Sequence, residues 1–430
     1  MASPTALDSL GPPTPKSASG ALQIAAATVG NALEWYDILI YGYLATTLAA
    51  VFFPNSDPVV SLLLTFGSFG LSYLARPIGA IVLGAYADRA GRKAALTVSI
   101  QLMVIGTAIL AFMPSYASIG LIAPIAVFAA RLLQGFAVAG EFGSSTAFMI
   151  EHSAQRKAFF ASWQFSGQQL AKLLAALFGV GLMTAFPPQH LHSWGWRIPF
   201  IVGLSVGPIG LYIRRKVDET PEFLESAHTR TPVLEVFSTD KMNLLLGAGL
   251  VAVGTAATYF SLYMPTYATT RLHLPPSSGY SVSVVLAIIS MVLCPVAGNL
   301  ADKFGPARIM LPAVILMLLS FYPIFFLITT RPGVPTLMST LIWDALLQTT
   351  YLGGLPAVMA GLFPVRTRVT GLAVSYNVGV MLFGGFAPVI FTWLTDVTHN
   401  NASPSYYLMA MAVISILALV ATRRRGPTTP

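Results

Sequence analysis

Twelve stretches of this chain are each apolar over about 20 residues, the length an α-helix needs to cross a bilayer. They fall near 21–50, 60–87, 94–113, 117–147, 158–186 and 196–213, then near 243–267, 279–300, 309–330, 336–361, 370–395 and 404–422. Six segments, a polar break and six more leave too little polar chain to solvate a water-soluble fold. Composition agrees: 55% of the residues are hydrophobic and 9% charged, against about 25% charged in soluble domains. In lipid the backbone must bond to itself, so such segments are helices. The expected fold class is an all-α membrane protein with 12 transmembrane helices in two six-helix halves.

The net charge of +8 does not point to nucleic acid, because the basic residues are spread thinly between apolar runs. They report orientation instead. With the N-terminus inside, Arg89, Arg92, Lys93, Arg156, Lys157, Arg214, Arg215, Lys216, Arg366, Arg368 and Arg423 to Arg425 all face the cytoplasm, whereas external loops hold Arg271 and Arg331. That bias sets both termini in the cytoplasm. The expected organisation is a Pro/Ser/Gly-rich tail (1–20), a first bundle (21–213), a cytoplasmic linker (214–242), a second bundle (243–422) and a basic tail (423–430).

One cysteine, Cys294, excludes an intrachain disulfide and a cysteine metal cluster. The six histidines lie in loops or at helix ends, His190 and His192 being too few for a metal site. No cofactor or metal is expected, and no nucleophile motif or phosphate loop suggests an enzyme.

Seven charges lie inside apolar segments: Glu34, Asp37, Arg76, Arg131, Glu141, Lys172 and Asp344. Each costs about 2.5–3.5 kcal/mol at a helix centre, so seven unpaired would cost roughly 20 kcal/mol. They must pair or face a polar cavity. At about 100° per residue, Asn31, Glu34, Asp37 and Tyr41 share one side of the first helix. Gln164, Gln168 and Lys172, spaced i, i+4, i+8, stripe the fifth, and Arg131, Gln134 and Glu141 lie toward one side of the fourth. Three striped helices line a cavity within a bundle. Arg76, Arg131 and Lys172 suit an anion bearing carboxylates. Glu34, Asp37 and Glu141 suit proton uptake, because desolvation favours the neutral carboxyl. In the second half Tyr259, Tyr263, Gln348, Tyr351, Tyr376 and Asn377 offer neutral hydrogen bonds. The expected substrate contacts are Arg76, Arg131, Gln134, Gln164, Gln168, Lys172, Tyr351, Tyr376 and Asn377.

An internal repeat supports two halves. Gly84 to Lys93 (GAYADRAGRK) and Gly298 to Met310 (GNLADKFGPARIM) both read G-x-x-A-D-(R/K)-x-G. Repeats of this kind place a substrate site near the midplane.

The first copy resembles the loop signature of the major facilitator superfamily, and Arg131-Leu-Leu-Gln134-Gly135 resembles its helix-four motif. GNALEWYD (30–37), ARPIG (75–79), RLLQGFAVAGEF (131–142), WGWRIP (194–199) and DETPE (218–222) are similar to the metabolite:proton symporters within it. GLIAPIAVFAARLLQGF, ASWQFSGQQLA and MPTYATTRLHL extend the likeness, over about residues 28–420, to bacterial citrate/tricarballylate proton symporters. The resemblance implies alternating access, proton-coupled import of citrate or a related acid, and a bacterial inner-membrane location. It implies protons, a small organic acid and the lipid bilayer as partners, with the chain acting as a monomer. It also implies cytoplasmic gating by Gly84, Asp88, Arg89, Gly91, Arg92, Glu151, Arg156 and Asp302, with Asp88 pairing to arginines of the fourth or eleventh helix. The same family carries proline, betaine, shikimate and α-ketoglutarate, and these remain alternatives. A drug efflux pump fits three intramembrane cations poorly. A transporter-like sensor would be separated by counterflow.

Overall fold

The computed structural model describes residues 20–90, 92–138, 141–151, 156–205, 240–364 and 367–425. The described part excludes Gly91 and, within the helices, the surroundings of Gly84, Asp88, Arg89, Arg92, Glu141 and Glu151. The expectations on these seven therefore lie outside what the structure describes, as does most of the linker.

The described residues form helices and no strands. The first half comprises α1 (Gly20–Tyr43), α2 (Ala45–Phe52), α3 (Pro58–Ala90), α4 (Arg92–Phe112), α5 (Tyr116–Ile119), α6 (Ile122–Ala137), α7 (Glu141–Glu151), α8 (Lys157–Ala185), α9 (Pro188–His190) and α10 (Arg197–Leu204). The second comprises α11 (Lys241–Thr270), α12 (Pro276–Phe304), α13 (Pro306–Thr330), α14 (Val334–Ala360), α15 (Arg368–Val380), α16 (Ala387–Val397) and α17 (Pro404–Arg425).

Among the described residues seven spans are long and apolar enough to cross a membrane unaided. An eighth, the first in chain order, is bent: α1 and α2 meet at 70°. No proline marks that break. The Tyr43 carbonyl beside it accepts the Tyr280 hydroxyl at 2.6 Å, meeting the requirement that backbone groups in lipid find partners. Helix α4 and the α6–α7 pair are shorter apolar pieces. Helix α14 has 27 residues and a polar middle containing Asp344, Gln348 and Thr349. Helix α10 starts the sixth span. In chain order these are consistent with the twelve expected segments. The eleventh, α15–α16, is joined through a π-helical turn at Met381–Gly385.

Burial is inverted relative to a soluble protein. Arg131 is 0% exposed while Leu417 is 65% exposed, and the outer surface is studded with residues such as Ile78, Leu319 and Phe326. Lipid is the solvent for that surface.

Glycines in the motifs set how closely helices approach. A Cβ on Gly135 of α6 would overlap the backbone of Ser72 on α3, and one on Gly79 would overlap the backbone of Phe136. These two glycines draw α3 and α6 together, which brings Arg76 and Arg131 into one interior. Gly298, in the second motif copy, lets α12 meet α8 from the other half: its Cβ would lie 2.6 Å from Ser162 Oγ.

Candidate functional site

The polar stripes converge where the halves meet. One small cavity is lined by Asn31, Glu34, Trp35, Arg76, Val138, Phe142, Tyr376 and Asn377. A second, beside it, is lined among others by Trp35, Gln168, Gly254, Thr255, Thr258, Tyr259 and Tyr376. Trp35 and Tyr376 belong to both, so the two are neighbouring parts of one interior.

Arg76 is 1% exposed. Its guanidinium carbon lies 4.1 Å from the Tyr73 ring centroid and 5.5 Å from that of Trp35. Its Nε and Nη2 have no hydrogen-bond partner among the described residues. Aromatic faces support a buried cation but leave these two nitrogens without acceptors.

Arg131 sits deeper. Its Nη1 donates to Gln134 Oε1 at 2.8 Å, Gln134 Nε2 donates to Thr107 Oγ1 at 2.9 Å, and Thr107 Oγ1 donates to Asp37 Oδ2 at 2.8 Å. The guanidinium also lies 4.5 Å from the Tyr41 ring centroid. A chain of neutral groups thus joins a buried cation to a buried carboxylate across α6, α4 and α1. Arg131 Nε and Nη2 and Asp37 Oδ1 remain without partners among the described residues.

The structure sorts the expected residues. Asn31, Glu34, Arg76, Gln168, Tyr376 and Asn377 line the cavities. Asp37, at the edge of the α1 arc, turns instead toward Thr107. Gln134 braces Arg131 rather than facing either cavity. Gln164 accepts from Ser145 Oγ at 2.5 Å and stays outside both linings. Tyr351 is placed differently from the sequence reading: it is 0% exposed, and its hydroxyl donates to the Leu250 carbonyl at 2.7 Å. It pins α14 to α11 and contributes nothing to either cavity lining. Gln348 touches the wall indirectly, donating to the Gly254 carbonyl at 3.1 Å and Thr258 Oγ1 at 2.9 Å.

Several contributors carry no charge and were passed over as site residues. Trp35 lines both cavities. The Phe142 ring stacks on Tyr376 with centroids 3.4 Å apart, bridging the halves. The hydroxyls of Tyr73 and Tyr259, also from opposite halves, hydrogen-bond to each other. Trp35 stands within a quoted motif, but an aromatic residue in a membrane helix gives no distinct signal.

At the start of α8 Asp302 behaves as a cap. Its Oδ1 accepts the Ala158 N–H and its Oδ2 the Phe159 N–H, each at 2.8 Å. Those are orphan donors of the first turn of α8, where the helix dipole favours negative charge. Arg156 Nη2 donates to Asn299 Oδ1 at 3.2 Å across the same seam. The second motif copy has Pro306 and Ala307 in place of arginines, and its aspartate finds backbone N–H groups instead.

Long apolar helices closed on a shared polar interior define a transporter fold, and the comparisons with known proteins give the family. The chain belongs to the major facilitator superfamily, whose family model matches residues 24–378. A citrate-proton symporter of Klebsiella pneumoniae is 37% identical over 93% of this chain and 91% of its own length. A proline/betaine transporter of Escherichia coli (strain K12) is 32% identical over 92% of this chain and 81% of its own. The crystal structure of a D-xylose-proton symporter superposes with a TM-score of 0.74 at 17% identity, covering 93% of this chain and 96% of that one. The protein is a multi-pass transporter of the bacterial inner membrane.

Proposed function

We propose that the protein imports citrate or a closely related di- or tricarboxylate together with protons. The observation that carries this reading is the set of unpartnered guanidinium nitrogens on Arg76 and Arg131, both fully buried beside a cavity that Glu34 also lines. A buried donor without a partner costs about 1–3 kcal/mol, more when charged. A carboxylate meets that need bidentately. The citrate-proton symporter relatives support the choice of anion.

Glu34 and Asp37 are the acids placed to exchange protons with the arginines' substrate. A carboxylate near an arginine competes with the substrate anion for it, so protonation and anion binding favour each other. In this reading Gln168, Tyr376 and Asn377 orient the substrate from both halves, and Lys172 extends the cationic surface. Asp302 and Arg156 hold the cytoplasmic seam shut when the transporter is closed on that side. One chain contains both halves and the whole cavity, which supports a monomer as the working unit.

Reconstitution in liposomes tests the reading. Labelled citrate accumulates under an inward proton gradient, falls to equilibrium when the gradient is collapsed, and is competed by tricarballylate. Arg76→Ala removes accumulation. Uptake of betaine or proline but not citrate under the same gradient would transfer the substrate assignment to the osmolytes carried by the E. coli relative.

A further inference from the structure

One buried charge is left without a role by the site described above: Asp344, in the middle of α14. It is 5% exposed, and its Oδ1 has no hydrogen-bond partner among the described residues. Its electrostatic neighbour is Lys172 of α8, 3% exposed, although their charged atoms do not approach within 4 Å. The two come from opposite halves of the transporter, and α8 and α14 pack directly against each other.

Their placement relative to the substrate cavity is specific. Lys172 lies four residues, one helical turn, beyond Gln168, which lines the cavity. Asp344 lies one turn from Gln348, which is bonded to the cavity-lining Thr258. Helix α8 runs outward from its capped cytoplasmic end, and α14 runs the other way. Both single-turn steps therefore lead toward the external side, and the pair sits immediately outside the cavity, with one charge on each half. The helices packed on α14 carry their other charges at their ends: Lys241 on α11, Asp302 and Lys303 on α12, Arg308 on α13, Lys157 on α8, Arg368 on α15, and Glu141 and Glu151 on α7. Their uncharged titratable groups are Tyr259, Tyr263 and Tyr267 on α11, Tyr280 and Cys294 on α12, Tyr322 on α13 and Tyr376 on α15. A buried ammonium and a buried carboxylate so placed stabilise each other, and separating them leaves both desolvated and unpaired.

We propose that Lys172 and Asp344 form an external charge gate in which a carboxylate of the incoming substrate displaces Asp344 from Lys172 and the released Asp344 takes up a co-transported proton. This rests on the proposed carboxylate-proton symport. The proton comes from external water: the Asp344 carboxylate gains it to become a neutral carboxylic acid. When the cavity opens inward and the substrate leaves Lys172, the acid returns the proton to cytoplasmic water and re-pairs with the lysine. Charge in the interior stays balanced at each stage. The gate also selects substrate, because it responds to an acid with a carboxylate to spare beyond those that Arg76 and Arg131 hold.

The test combines two measurements on the full-length protein. Thermal unfolding in detergent is compared for wild type, Lys172→Met, Asp344→Asn and the double variant. The pair predicts that each single change lowers the midpoint and the double variant recovers much of the loss. In liposomes, Asp344→Asn should keep citrate counterflow but lose gradient-driven accumulation and the accompanying proton uptake. Lys172→Met should favour dicarboxylates over citrate. Additive unfolding shifts, or an Asp344→Asn variant that accumulates citrate and protons as wild type does, would overturn the gate while leaving citrate transport standing. A wild type that moves no carboxylic acid at all would overturn the proposed function and the gate with it.

Discussion

The first half of the transporter buries Glu34, Asp37, Arg76, Arg131 and Lys172, whereas among the described residues the second buries one charge, Asp344. Their architecture is similar and a motif is repeated between them, yet the interiors differ in kind. The first half suspends its cations on aromatic faces and on the neutral chain through Gln134 and Thr107. The second half satisfies several neutral polar groups on neighbouring helices: Tyr351 on the Leu250 carbonyl, Gln348 on Gly254 and Thr258, Ser415 on the Gly249 carbonyl at 2.9 Å. Fully buried guanidinium nitrogens without partners lie in the first half, on Arg76 and Arg131. In the proposed function that half holds the anion, while the second supplies neutral hydrogen bonds and, among the described residues, the single buried carboxylate of Asp344.

The contrast can be broken first at the helix contacts that hold the charged half together. Gly135→Val drives a side chain into the backbone of Ser72, at a cost of about 3 kcal/mol or more. The expected outcome is loss of folded protein from the membrane fraction, read by size-exclusion chromatography. Gly67 of the same α3 has nothing within 4 Å of its Cβ position, so Gly67→Ala should leave the yield unchanged. Next comes Arg131→Ala, which strands Asp37 and empties the centre of the network. Truncating one member of a buried charged pair costs about 2–5 kcal/mol, which is roughly thirtyfold or more in kcat/KM for proton-driven uptake. Arg131→Lys should not restore activity, since an ammonium cannot reproduce the planar fork.

Changes in the second half should be milder. Tyr351→Phe removes one neutral hydrogen bond and is expected to lower stability by about 1 kcal/mol while leaving KM unaltered. A raised KM in that variant would return Tyr351 to the substrate site. The smallest effect belongs to Arg271–Asp396, whose atoms approach to 3.9 Å with side chains 21% and 48% exposed. Arg271→Ala should move stability by no more than about 0.5 kcal/mol, and raised salt should remove even that.

How far these features were legible in the sequence follows from what each costs. A charge in an apolar segment announces itself, so Arg76, Arg131, Lys172 and Asp344 stand out from composition alone. Gly79 and Gly135 stand out through their motifs, although the sequence does not say that each accommodates a neighbouring backbone. Partners across helices are another matter. That Asp37 would meet Thr107 rather than a cavity depends on the rotation of α4 against α1, which neither periodicity specifies. The partner of Tyr351 is hidden for a similar reason: its acceptor is a backbone carbonyl on another helix, and carbonyls have no sequence signature. The break between α1 and α2 has no proline to mark it, and the hydroxyl meeting the Tyr43 carbonyl lies more than 200 residues away.

The cap that Asp302 places on α8 has a consequence for timing. Two charge-assisted bonds join α12 to the start of α8; if this seam opens in the proposed gating, water can replace both partners at once, on the carboxylate and on the helix end. A cap of this sort contributes about 0.5–2 kcal/mol. In that gating it would act as a detent rather than a lock, large enough to bias the resting state and small enough to be overcome at each turnover.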